Sequence, residues 1–483
     1  MSITGALSNA LSGLTAASRS AEVVASNIAN AMTEGYATRS LSLSSRQGTT
    51  GGVRIDGIIR STDPGLLADR RLAESGQAHS QSLAAALTRI EGLFGTPLDP
   101  GSLTARLAAF ETSLVEAASR PEAPERLNRV AQTAAYLAGT MRDISDGLQA
   151  LRTEADRSIV TQVRTLNTAL EQVQQLNARI NFALGQGFPT PDLLDQRQAV
   201  IDQIARIVPV IEVPRDRGAV ALFTPGGAIL LDGPAAQIGF DPVNQVAAHM
   251  TQSGGLLSGL TINGVPLSTD PASGHLRGGS LDAAFRLRDD LAVSAQSQLD
   301  AVARDLIERF GASGLDPSVS PGQPGLFADG SALFDPAEEV GLAGRIALNA
   351  LVDPAQGGAS WRLRDGIGAA FPGPPGEGAL LNRMLDALTG PRLPASGGFA
   401  QGAVSAPGLS ALMLSGIGSD RQIAEQRQSF ASSRATSLRM AELERGVDTD
   451  DQLQRLMVIE RAYAANARVV QTVDDMIQTL LRI

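Results

Sequence analysis

At 483 residues, 43% of them hydrophobic, 19% charged and 4% aromatic, the chain has the length of about three ordinary domains and ample material for a core. A net charge of −10 argues against a nucleic-acid binder, and all 40 basic residues are arginine, which removes P-loop, Schiff-base and pyridoxal-phosphate lysines. Cysteine is absent, so disulfides, thiolate nucleophiles and cysteine-ligated metals are excluded as well.

Ile3, Leu7, Ala10, Leu14, Ala17, Ala21, Val24 and Ile28 alternate spacings of four and three, while Ser8, Asn9, Ser12, Arg19 and Glu22 fall elsewhere. This predicts a helix with one narrow apolar seam. Its small residues favour close packing but bury little area, at about 0.8 kcal/mol per methylene, so the helix needs a partner. The first 30 residues carry no basic n-region and no unbroken apolar run, so a cleaved secretory signal is not expected.

Helices are expected next at 83–94 and 102–119, then over a long run from Pro124 in which Val130, Ala134, Leu137, Met141, Ile144, Leu148, Leu151 and Ala155 hold heptad spacing. Together they predict an antiparallel bundle. After Ala155 the spacing slips to four and four at Ile159 and Val163 before resuming at Leu166, Leu170 and Val173, which predicts a relaxed supercoil or a break. Gln186-Gly187-Phe188-Pro189 ends the run.

Between 208 and 278 the pattern turns to strands, at 210–213, 219–223, 228–231 and 260–262. Asn263-Gly264 predicts a tight hairpin, and Pro266 confines its strand to a sheet edge. Helix resumes over 281–310 on Phe285, Leu291, Leu299, Val302 and Leu306; 311–330 and 372–376 are Gly/Pro-rich connections, and 417–445 is again helical, polar and Arg-rich.

At the other end Leu456, Tyr463, Val470 and Ile477 are spaced by seven, with Ile459, Asn466, Val473 and Leu480 three residues after each. Asp448, Thr449, Asp450 and Asp451 supply cap oxygens and favourable charge at the helix start. Asn466 puts an amide on the seam, where it fixes register at a cost in stability. On periodicity alone, the two end helices can pair with each other or with copies in other subunits.

Residues with chemistry to offer are sparse. His79, His249 and His275 have no metal-binding spacing, Gly366-Ile367-Gly368 lacks the third glycine of a dinucleotide fingerprint, and no GxSxG elbow occurs. Asp289-Asp290 and Asp474-Asp475 fit solvated helix faces or arginine partners better than an acid–base couple. No catalytic residue, metal or cofactor is therefore expected, and no run of 18 apolar residues predicts a membrane span. Asn27 and Asn30 fit simple helix caps, and Tyr36 and Tyr463 fit ordinary packing, as readily as each fits a subunit contact.

Leu11-Ser12-Gly13-Leu14, Ser26-Asn27-Ile28-Ala29-Asn30, Gly35-Tyr36 and Arg39 together resemble the N-terminal motif of the bacterial flagellar rod, hook and hook-associated proteins. Gly446-Val447-Asp448, the run Ala462-Tyr463-Ala464-Ala465-Asn466-Ala467-Arg468-Val469-Val470 and Asp474-Asp475-Met476 resemble the matching tail. Inside, Leu193-Leu194-Asp195-Gln196-Arg197, the helical run 127–180 and Gly279-Ser280-Leu281 resemble the hook-associated branch, since rod and hook proteins have a mainly β interior. The resemblance covers about the first 205 residues, 278–310 and everything after roughly 341; Met32 and Glu34 depart from the usual Asn or Asp and Pro before Gly-Tyr.

The resemblance implies a structural adaptor rather than an enzyme, joining hook to filament through interlocking terminal helices. It places the chain on the extracellular flagellum, exported without a cleaved signal peptide by the flagellum's own type III apparatus. The implied partners are copies of itself in a helical ring, the hook protein, the next hook-associated protein and an export chaperone at the C-terminal helix, with no nucleic acid and no membrane insertion. The expected fold is α+β: long terminal helices pairing as a coiled coil, a helical bundle, and an inserted β-rich domain. Its expected boundaries are 1–60 with 446–483 for the terminal assembly domain, 61–207 with 281–310 and 341–445 for the bundle, 208–280 for the insertion and 311–340 for a Gly/Pro-rich connection. The residues expected at the assembly interface are Ile3, Leu7, Leu14, Val24, Asn27, Ile28, Asn30, Gly35, Tyr36, Leu456, Ile459, Tyr463, Asn466, Val470, Val473, Ile477 and Leu480. The alternatives are another axial protein of the same family, the third hook-associated protein or a flagellin, and a secreted glycan-binding protein or hydrolase using the β insertion.

Overall fold

Residues 3–33, 35–46, 51–270, 273–399 and 402–482 are described in a computed structural model; Glu34, one of the departures from the family motif, lies outside them. The seam at the start forms α1 (Ile3–Ala29), and an antiparallel hairpin follows, β1 (Arg39–Ser45) with β2 (Val53–Arg60). Asp63 then caps α2 (Pro64–Phe94), its carboxylate accepting the N–H groups of Gly65 and Leu66 while Pro64 fills the first turn. Ser102 caps α3 (Leu103–Ser119) in the same way.

The centre of the molecule is α4 (Pro124–Gln186), 63 residues long, which stops where Gly187 turns left-handed at φ 74°. The phase slip after Ala155 does not break it. Up to Leu151 the helix lies in one core with α3 and its other bundle neighbours; from Ile159 on it lies in a second core with α5 (Pro191–Ile207) and the β-rich region. A change of partner therefore takes the place of the expected break.

The β-rich region holds two small antiparallel sheets. One is β3 (Ile211–Pro214), β4 (Val220–Phe223) and β5 (Ile229–Leu231); the other has the order β6 (Ile238–Gly239), β7 (Leu260–Ile262), β8 (Val265–Leu267). Pro266 lies in the edge strand β8, and Asn263 and Gly264 both take positive φ, 51° and 81°, as a two-residue hairpin turn requires.

The chain returns through α6 (Gly279–Arg286), a π-turn (Leu287–Leu291) and α7 (Ala292–Phe310). The π-turn carries the fully buried Arg288 to the junction between the two cores. There its Nη1 donates to Asp156 on α4 at 2.7 Å and its Nη2 to the Ser258 carbonyl at 2.9 Å, while the guanidinium also holds Asp289 and lies 4.9 Å from the Phe285 ring centroid. Arg152, one turn earlier on α4, donates to the carbonyls of Arg288, Ala247 and Met250. Two buried arginines thus tie the insertion to the bundle where α4 changes partner.

The remaining chain closes the first core: β9 (Phe327–Asp329) pairs with β10 (Ile346–Leu348), then come α8 (Arg362–Asp365) and α9 (Ala379–Thr389). Phe110, Phe310 and Phe327 meet there with centroids 5.5–5.8 Å apart. The stretch between β9 and α9 is largely irregular. Ser405 caps α10 (Ala406–Glu444), which packs along α2, and α11 (Thr449–Arg482) returns against α1.

Candidate assembly interface

The two end motifs meet in one unit, because α1 packs on α11 and the β1–β2 hairpin lies against α1. On α1 the seam faces inward: Ala10, Ala17 and Val24 are buried, and Ile3, Leu7, Leu14 and Ile28 are half-buried. On α11 Val473 is buried and Leu456, Ile459, Asn466 and Val470 are half-buried, whereas Tyr463, Ile477 and Leu480 stay exposed. The C-terminal seam is thus covered along its first part and uncovered toward the chain end.

Consecutive residues of the Leu11-Ser12-Gly13-Leu14 motif face different partners. Ser12 Oγ accepts the Val53 N–H at 3.1 Å, drawing the start of β2 onto α1. Gly13 faces Asn466, whose amide leaves no room for a Cβ. The amide itself donates to the Ala462 carbonyl at 2.9 Å, so it needs no partner across the seam.

Asn27, in the last turn of α1, is fully buried and uses its whole amide. Its Nδ2 donates to the Arg39 carbonyl at 2.8 Å and to Gln452 Oε1 at 2.9 Å. Its Oδ1 accepts from the Arg39 N–H at 3.0 Å and from the Tyr36 hydroxyl at 2.9 Å. One side chain therefore joins α1, the turn after it, the base of the hairpin and α11. Asn30 acts locally, donating to the Ser26 carbonyl at 2.9 Å and accepting from Thr33. Gly35 has φ 81°, a conformation that favours glycine, and brings Tyr36 back toward Asn27; the Arg39 guanidinium lies 4.6 Å from the Tyr36 ring centroid.

Two features escape the sequence reading. Gln452, buried against Asn27, continues the seam, since it stands seven residues before Ile459, and that spacing could have found it. The second is another stripe on α11: Val458, Ala462, Ala465, Val469 and Met476 follow spacings of four, three, four and seven, all of them exposed. Val458 is 64% exposed, Val469 43% and Met476 47%. At about 100° per residue this stripe lies roughly a quarter-turn from the seam that faces α1.

Among the described residues, no group of three or more His, Asp or Glu could hold a metal ion, and no helix is long and apolar enough to cross a membrane. A cavity of about 630 Å³ beside the insertion is lined by Arg152, Thr251, Phe285, Asp289 and Asp290. Asp289 is held there by Arg288, and burial pushes the Asp290 carboxyl above its usual range.

Three family models match the chain in order. The one described as flagella basal body rod protein covers 7–36, the flagellar hook-associated protein FlgK helical domain covers 87–324, and the flagellar basal body rod FlgEFG protein C-terminal covers 444–483. Flagellar hook-associated protein 1 of Bacillus subtilis (strain 168) is 24% identical over 513 residues, spanning 98% of this chain and 97% of that protein. Along nearly its whole length the chain is similar to flagellar hook-associated protein 1.

Flagellar hook-associated protein 1 of Salmonella typhimurium is 25% identical over 264 residues, which cover 52% of this chain and 47% of that protein. The solved flagellar hook junction protein FlgK from Burkholderia pseudomallei aligns at a TM-score of 0.45 and 22% identity, over 56% of this chain and 47% of that one. The chain thus spans about half the length of these two relatives. The hook-associated protein 1 family is a structural family of the flagellum, and the two rod-type matches fall on α1 with its following turn and on α11, the helices that pair here.

Proposed function

We propose that this chain is a non-enzymatic adaptor that joins hook to filament, and that the α1–α11 pair is its assembly element. The observation that carries the reading is the uncovered stripe on α11: one regular seam is turned inward on α1, and an equally regular one, Val458 to Met476, is left in solvent. Isolated exposed apolar residues need no explanation, but a heptad-spaced stripe beside the exposed Tyr463, Ile477 and Leu480 is a face that lacks its partner.

The partners in this reading are copies of the chain in a helical ring, with the hook protein below and the next hook-associated protein above. In this reading the α11 face meets a different surface of the neighbouring subunit, so the contact is head-to-tail and propagates by a screw operation. An export chaperone covering the same α11 face would keep it from associating early, and export would follow the flagellar type III route to the extracellular flagellum without a cleaved signal. In the proposed division 1–60 with 446–483 form the assembly domain, 61–207 with 281–310 and 341–445 the bundle, and 208–280 an outward insertion.

Deleting 456–483 tests the reading. The bundle and insertion should stay folded by circular dichroism and thermal unfolding, while the chain is lost from flagella; retained incorporation contradicts it.

A further inference from the structure

The Leu193-Leu194-Asp195-Gln196-Arg197 segment lies at the start of α5, and both of its charged side chains are engaged. Asp195 accepts from Arg39 Nη2 at 2.6 Å with one oxygen and from Arg60 Nε at 2.6 Å with the other. Arg39 begins β1, Arg60 ends β2, and the two are directly paired across the hairpin. Asp192 adds a second carboxylate to Arg39 at 2.7 Å, and Gln198 accepts from Arg60.

Arg197 points the other way. It is buried, and its Nη1 donates to Asn177 on α4 at 2.9 Å and to the Gly218 carbonyl at 2.6 Å; Asn177 in turn holds both the N–H and the carbonyl of Val220. The start of α5 is therefore fixed to the bundle and the insertion on one side and grips the base of the hairpin on the other. From there the path runs on through the Arg39 backbone to Asn27 of α1 and Gln452 of α11.

We propose that Asp195 is the positioning residue that sets the angle at which the α1–α11 unit stands on the helical bundle. A single ion pair leaves rotation about the contact free. One carboxylate shared between arginines on two paired strands fixes the plane of the hairpin, and its charge-assisted bonds lie in a partly buried site where salt screens them less than at the surface. The consequence rests on the assembly reading: identical subunits in a ring need the same angle in every copy. The angle itself is a property of the monomer.

The absence of cysteine allows the test on the full chain. Spin labels at Glu460→Cys on α11 and Thr161→Cys on α4, both exposed positions, report the distance between the two units. The parent should give one narrow distance distribution, and Asp195→Asn should lose that narrow peak with no change in the thermal unfolding midpoint of the bundle. The pair Arg39→Gln and Arg60→Gln, which removes the contact from the opposite side, should reproduce the loss even where Asp195→Asn fails to fold. A parent distribution that is already broad, or variants that keep the narrow peak, overturns the assignment. Because the monomer is measured, this result is separate from incorporation into flagella: a chain that fails to assemble with an unaltered angle would reject Asp195 and leave the assembly reading standing.

Discussion

Gly13 on α1 lies so close to Asn466 on α11 that a Cβ at position 13 would sit 2.8 Å from the amide. On helix propensity alone, Gly13→Ala would stabilise α1 by roughly 1 kcal/mol. Overpacking costs about 1–3 kcal/mol and should win, because Asn466 is held by the Ala462 carbonyl and can move only by giving up that bond or pushing the helices apart. Gly13→Ala should therefore speed amide hydrogen exchange in α1 and α11. Adding Asn466→Ala, which vacates the space, should slow it again; additive effects in the double variant would contradict the contact.

Asn27→Ala leaves the Arg39 N–H and carbonyl and the Gln452 amide oxygen without the partner they share, and the Tyr36 hydroxyl with the Ser26 hydroxyl alone. Such orphaned groups cost about 1–3 kcal/mol, concentrated here at the end of α1 and the turn after it. Limited proteolysis should cut between 30 and 39 sooner than in the parent while the bundle remains resistant. Equal cleavage rates would remove Asn27 from its central place.

Arg288→Met should lower stability by about 3–5 kcal/mol in denaturant unfolding, because Asp156 is left as an uncompensated charge between the two cores. Adding Asp156→Leu should recover a large part of the loss. A double variant no better than Arg288→Met would mean that packing against Phe240 and Phe285, not the charge pair, is what Arg288 supplies.

Burial pushes the Asp300 carboxyl above its usual range, against the bonds it accepts from the N–H groups of Gly341 and Ala343 and from Gln296. With the folded pKa raised, the stabilising contribution is complete below the unfolded value of about 3.9 and is lost as pH rises through the folded one. Asp300→Asn does not titrate, so its stability relative to the parent should improve as pH rises above about 4 in denaturant unfolding. A constant difference as pH rises would contradict the shift.

How far the sequence carries depends on whether a feature is periodic. The seams through Leu14 and Ile459 repeat every seven residues and so announce both terminal helices, and the turn at Asn263-Gly264 follows from its own dihedral demands. The β1–β2 hairpin is not announced, because β1 interleaves serine with leucines and β2 sets isoleucines among Arg, Asp and Gly, with all of these apolar side chains left partly exposed, a weak signal for a sheet. The slip at Ala155 is legible as a change of phase, but its cause, a handover between two cores, depends on segments distant in sequence. The same holds for Asp195, whose partners stand 156 and 135 residues away, and for the α11 stripe, which becomes conspicuous only once α1 has covered the neighbouring seam.

The most direct test places arginine on that stripe in the full chain, as Val458→Arg, Val469→Arg and Met476→Arg together. None of the three side chains is buried in the monomer, so helix content and the unfolding midpoint should match the parent. In cells carrying only this variant, purified flagella should lack the chain at the hook end of the filament, and motility should be lost. Normal incorporation with normal motility would mean that the exposed stripe is not where subunits meet.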